Sequence, residues 1–143
     1  MSHALIEVLE ANRLMRSPNE VAIFEQNLAA LAQNPNPADL PSLHLILDDA
    51  CQQPEVMFSL VHFLESFDMQ EQLQAFIQVM PDLVNRAAGW TAILPSRIMN
   101  DAIARSVFEE MVHSVNAQEQ NKIWQLLLLV SAKLSSEQAT KVA

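Results

Sequence analysis

Four groups of residues in this 143-residue chain have the types and spacing that chemistry requires. Glu110 and His113 form a Glu-x-x-His pattern, by which one helix offers two ligands to a carboxylate-bridged di-iron centre. Such a centre needs two copies and two further glutamates; one copy is present, so a solvated glutamate and a surface histidine are expected. His44 with Asp48, and His62 with Glu65, share helical faces at spacings of four and three, yet each pair lacks the third ligand of a zinc site. Cys51 is the sole thiol, with His44 and His62 as candidate bases. A thiolate needs an electropositive, exposed setting, whereas Cys51 lies among leucines and carboxylates, which predicts an inert core thiol. With Gly89 the only glycine, no Gly-rich phosphate-cradling loop exists. Neither a catalytic residue nor a metal or cofactor is expected.

Charge is the stronger signal. The formal net charge is −9, and no Lys or Arg occurs between Arg16 and Arg86. That stretch holds Glu20, Glu25, Asp39, Asp48, Asp49, Glu55, Glu65, Asp68, Glu71 and Asp82. Charge that serves solubility alone normally mixes signs along a surface. A one-signed field repels nucleic-acid phosphates and anionic headgroups, so direct nucleic-acid or membrane binding is not expected. The same field attracts a basic protein and speeds encounter. Asp48, Asp49, Glu55, Glu65, Asp68 and Glu71, on consecutive helices and at their ends, are the expected partner contacts.

The elements that carry these residues read as helices throughout. Half of the chain is hydrophobic, glycine and tyrosine are nearly or wholly absent, and Leu, Ala, Gln, Glu and Met recur. The punctuation predicts helices from Ser2 to Arg16; from Pro18, capped by Ser17; and from Asp39 inward through Leu40, Leu43, Leu47 and Ala50. Pro54 starts another, with Met57, Leu60, Val61 and Leu64 facing in, and Asp68 with Glu71 resembles a capping box that opens the next. Pro81 is expected to begin a shorter segment that Gly89 ends in a left-handed cap. Trp90 to Met99 should kink or restart at Pro95, Asn100 should cap the following helix, and Asn116 the long one through Val130. Ser135 or Ser136 is expected to cap a tail helix. The apolar run Trp124 to Val130 is far shorter than the ~20 residues that span a bilayer and reads as a buried helix. Met57, Met69, Met80, Met99 and Met111 fall mostly at inward positions, as core filling requires.

The expected architecture is therefore one all-α domain over residues 1–143, of about eight short antiparallel helices. Starts near Ser2, Asp39, Asp68 and Asn100 are spaced in a helix-pair rhythm. HEAT-like stacked pairs and an irregular helical bundle both fit it. The single cysteine and the lack of a basic, then apolar leader point to the cytoplasm.

The segment Trp90-Thr91-Ala92-Ile93-Leu94-Pro95-Ser96-Arg97-Ile98-Met99-Asn100 resembles the Trp-centred, Leu-x-Ser-Arg-Ile-x-Asn stretch of bacterial immunity proteins, in particular the immunity protein 30 family. Pro95 departs from that pattern, where an apolar residue is expected. The resemblance implies a small helical domain encoded beside a polymorphic toxin, including those of contact-dependent inhibition. It implies one partner, the C-terminal domain of a cognate toxin, bound stoichiometrically and occluded. Trp90, Arg97 and Asn100 are expected to hold the fold together: Trp90 in an apolar wall, Arg97 in an ion pair or on a carbonyl, Asn100 as a cap. A HEAT-like adaptor in a larger assembly is the alternative that the helical reading leaves open.

Overall fold

The structure, a computed structural model, describes residues 2–128. It is all-α, and the described residues contain no strand. In chain order come α1 (Ser2–Ala11), α2 (Pro18–Gln33), a 3-10 turn (Pro37–Asp39), α3 (Leu40–His44), α4 (Pro54–Glu65), α5 (Met69–Arg86), α6 (Ala88–Met99) and α7 (Ala102–Ser114). Residues 117–128 are also helical. The expected end at Val130 and the tail helix from Ser135 or Ser136 lie outside the described residues. No described helix is long and apolar enough to cross a membrane.

The chain divides into two compact units, Met1–Val79 and Met80–Ala143, with the boundary inside α5. In the first unit α1 packs on α2, and α4 receives both α2 and α3. Its core is built from Leu9, Phe24, Leu28, Leu31, Leu40, Leu43, Leu47, Met57, Leu60, Val61, Leu64, Leu73 and Phe76, all buried. The inward face predicted for α4 is the buried one. In the second unit α6 packs on α7, and the buried residues include Met80, Leu83, Ala87, Trp90, Leu94, Phe108, Val112 and Ile123.

Several helix ends follow their caps. Ser17 is extended (φ −146°, ψ 159°) and its Oγ accepts from the Glu20 amide at 3.2 Å, with Pro18 at the first helical position. Asp68 Oδ2 accepts from the Glu71 amide at 3.2 Å, and Asn116 Oδ1 from the Glu119 amide at 2.9 Å.

Other ends differ from expectation, each for a local reason. The first helix stops at Ala11 rather than Arg16, because the chain turns through Met15, whose φ is +46°. That left-handed backbone costs a non-glycine residue about 1–2 kcal/mol and is offset by placing the Met15 side chain, 1% exposed, in the core. Asp39 does not cap α3: the 3-10 turn before it, capped by Asn36, already holds Asp39 in helical geometry, and its carboxylate accepts from Ser2 Oγ instead. The helix α3 has only five residues, after which Ile46 and Leu47 bond to carbonyls three back and Ala50 ends up exposed.

Pro81 and Pro95 both sit inside continuous helices, so neither starts a segment. The break falls at buried Ala87 (φ −142°, ψ 58°), whose carbonyl accepts from both the amide and the hydroxyl of Thr91. Gly89 is therefore a helical residue, and no described glycine has positive φ. Asn100 is the C-cap of α6, its amide bonded to Ser96 O, while Asp101 caps α7 by accepting from the Ile103 and Ala104 amides at 3.0 Å each. Residues 117–128 are less covered than predicted: Ile123 is buried, but Trp124 and Leu128 are 40% and 70% exposed. Consecutive apolar residues advance by 100° around a helix, so one buried face cannot take them all.

Candidate partner interface

The chemistry-bearing residues are turned inward or stand apart. His44 is buried, and its Nδ1–H donates to the Leu40 carbonyl at 2.8 Å, since a carbonyl can only accept. Burial lowers its pKa below the ordinary 6.5, which keeps the ring neutral, and the ring packs against Phe76 with centroids 6.1 Å apart. Burial chiefly pushes the Cys51 thiol up, outweighing the Gln53 amide that donates to its sulfur and favours the thiolate, so the net effect is the opposite of an activated nucleophile. His62, Glu65, Glu110 and His113 are exposed, and the described residues hold no group of three or more potential metal ligands.

The acidic residues are organised by α4. Asp48, Asp49 and Glu55 lie in the loop before it and in its first turn, whereas Glu65, Asp68 and Glu71 surround its end and the start of α5. Ten residues of helix separate Glu55 from Glu65, or about 15 Å along the axis. The six predicted contacts thus form two groups of three. Asp49, Glu55, Glu65, Asp68 and Glu71 are exposed.

Asp48 departs from the predicted role. It is 8% exposed, its Oδ2 accepts from Arg13 Nε at 2.9 Å and its Oδ1 from the Ala50 amide at 2.8 Å. Arg13 also donates to the Glu10 carbonyl, and the Gln52 amide bonds to the Leu14 carbonyl at 2.9 Å. Together these contacts staple the Asp48–Gln53 loop to the end of α1, so Asp48 fixes the loop that carries Asp49 and leads into the first turn of α4, where Glu55 stands. The other arginine of this unit, Arg16, pairs with Glu20 at 3.3 Å, a contact that raises its pKa and lowers that of Glu20. Both cations of Met1–Val79 are therefore held by that unit's own carboxylates.

A feature missed in the sequence lies in the same unit: a recess of ≈ 360 Å³ lined by Met15, Arg16, Ser17, Pro18, Val21, Ala22, Glu25 and Gln53. It exists because the Met15 turn brings the start of α2 beside the start of α4, a long-range arrangement with no local signature.

The Trp90 to Asn100 segment forms most of α6. Trp90, Thr91 and Leu94 are buried at helical spacing, and Ile93 is half-buried. Arg97, half-buried, stands in the last turn, where a cation complements the helix dipole. Asn100 ends this helix rather than beginning the next, as described above.

No curated protein and no solved structure matches the chain. A family match extends over residues 11–108, from the turn that builds the recess through the Trp90 segment and into α7. That match covers well over half of the sequence, and the chain belongs to the immunity protein 30 family.

Proposed function

We propose that this protein binds the C-terminal domain of a cognate toxin and neutralises it stoichiometrically by occlusion, without chemistry of its own. The family supplies the class of partner. The observation that carries the rest is the placement of charge: Met1–Val79 holds eleven carboxylates against Arg13 and Arg16, while Met80–Ala143 holds six of each sign. All of the −9 resides in the first unit. A basic toxin domain, of the kind that acts on nucleic acid, is steered to such a field, and carboxylates then occupy the cleft that phosphates would fill.

The contacts are Asp49, Glu55, Glu65, Asp68 and Glu71, with Asp48 and Arg13 positioning the first two. The complex forms in the cytoplasm of the producing cell, where the toxin of a contact-dependent inhibition system would arrive.

Co-expression with the toxin domain encoded directly upstream tests this reading. Rescued growth and a one-to-one co-purifying complex are expected. A toxin domain that remains lethal and does not co-purify with the protein would refute it.

A further inference from the structure

We propose that the recess at the start of α2 is an anchor pocket for one long cationic side chain, arginine or lysine, of the basic toxin domain. This rests on the function proposed above and names the chemistry of one contact within it.

The recess is built in two parts. Met15, Pro18, Val21 and Ala22 provide an apolar floor. Its polar rim includes Glu25 and Gln53, with Arg16 and Ser17. Arg16 and Ser17 are already engaged: the Arg16 guanidinium bonds to both Glu20 oxygens at 3.3 Å, and Ser17 Oγ accepts from the Glu20 amide. Glu25 differs, because its carboxylate is exposed and has no hydrogen-bond or ion-pair partner among the described residues. An apolar floor beside one unpartnered carboxylate matches a side chain with an aliphatic stem and a cationic head.

Other occupants fit less well. A neutral aromatic group would cover the floor but leave Glu25 partly desolvated without compensation. An anion would enter against the field of a unit whose net charge is −9. The volume falls within the range of pockets that bury a small ligand group, and arginine is among the side chains enriched at binding hot spots. Gln53 is two residues from Glu55, at most ~7 Å along the chain, so the recess borders the first acidic group. A cation seated there would bring its neighbours onto Asp49 and Glu55.

The test measures association and dissociation rates of the full chain with the purified upstream toxin domain. Glu25→Gln removes the charge at constant shape, Ala22→Trp fills the recess from an exposed position, and Glu7→Gln removes an exposed charge on α1 as a control. Thermal unfolding verifies that each variant is folded. Glu25→Gln and Ala22→Trp should each raise the dissociation rate at least tenfold, while Glu7→Gln stays within twofold. Replacing toxin lysines and arginines singly by methionine should find one position whose effect is non-additive with Glu25→Gln. Wild-type rates for both recess variants, with association still slowed by reversing Asp49 and Glu55, would overturn the pocket and leave the acidic reading standing. Weak binding by Ala22→Trp with a silent Glu25→Gln would overturn the cationic occupant. If the wild-type chain does not bind the toxin domain, the function proposed above falls, and the pocket with it.

Discussion

The two units are built from the same helical material but differ in what they present to solvent. Met1–Val79 carries the entire net charge of −9, while Met80–Ala143 is formally neutral. The second unit instead holds the large exposed apolar residues, Ile103, Trp124 and Leu128. Both have buried aromatic centres, Phe24 and Phe76 in one and Trp90 and Phe108 in the other. Both also use side-chain caps of similar geometry, Ser17 and Asp101. The difference therefore lies in charge and exposed apolar area, and it is why electrostatic recognition is proposed for the first unit. The Trp90 segment belongs to the second unit, and the acidic residues proposed to bind the toxin belong to the first.

The largest expected effect breaks the staple of the first unit. Arg13→Ala leaves the Asp48 carboxylate nearly buried without its cation and should cost about 2–3 kcal/mol in urea unfolding, since removing one partner of a buried pair strands the other. Arg105→Ala is the matching change in the second unit. It removes an exposed arginine whose bond to the Met99 carbonyl is 3.4 Å and should cost under about 0.5 kcal/mol. Equal losses would remove the distinction between a structural and a surface arginine.

Charge reversal addresses the functional side of the contrast. Asp49→Lys, Glu55→Lys and Glu65→Lys together should slow toxin association about tenfold at low salt, with the effect shrinking as salt rises. Reversing the exposed Glu109, Glu110 and Glu119 of the second unit should change the stopped-flow rate by less than about threefold. Similar slowing from both sets would mean that total charge, rather than its placement, governs encounter.

Removing the caps sharpens the comparison by testing what the units share. Ser17→Ala and Asp101→Ala should each cost about 1 kcal/mol, because each orphans amides at a helix start. A silent Asp101→Ala would restore Asn100 as the effective cap.

A pH slope completes the series. His44 is neutral in the fold because burial lowers its pKa, so the unfolded chain binds a proton below pH 6.5 that the folded chain does not. Stability should therefore fall as pH drops from about 6.5 through the depressed value. His44→Phe, which retains a ring beside Phe76, should flatten the slope between pH 7 and 5, before most carboxylates titrate. An unchanged slope in that variant would assign the pH dependence elsewhere.

Local chemistry made much of this legible in advance. The starts at Ser17-Pro18, Asp68 and Asn116 needed only the side chain and the amide three residues on, the start at Pro54 only a proline at the first helical position, and the inward face of α4 only its 3.6-residue period. The positions that misled were those where a local preference met a tertiary demand. Gly89 has the freedom to end a helix, yet the chain breaks at Ala87, where Thr91 supplies two donors to one carbonyl. Pro81 favours a helix start, yet it is carried inside a longer helix.

Composition and order along the chain by themselves determined the helical class and the unbroken run of acids, because helix propensity and formal charge belong to residues one at a time. Tertiary structure alone decided which acids stay exposed. Asp48 and Asp49 are adjacent and chemically identical, yet one is drawn inward by an arginine 35 positions away while its neighbour stays in water. Burial depends on what the folded chain brings alongside, and no local window of sequence contains both Arg13 and Asp48.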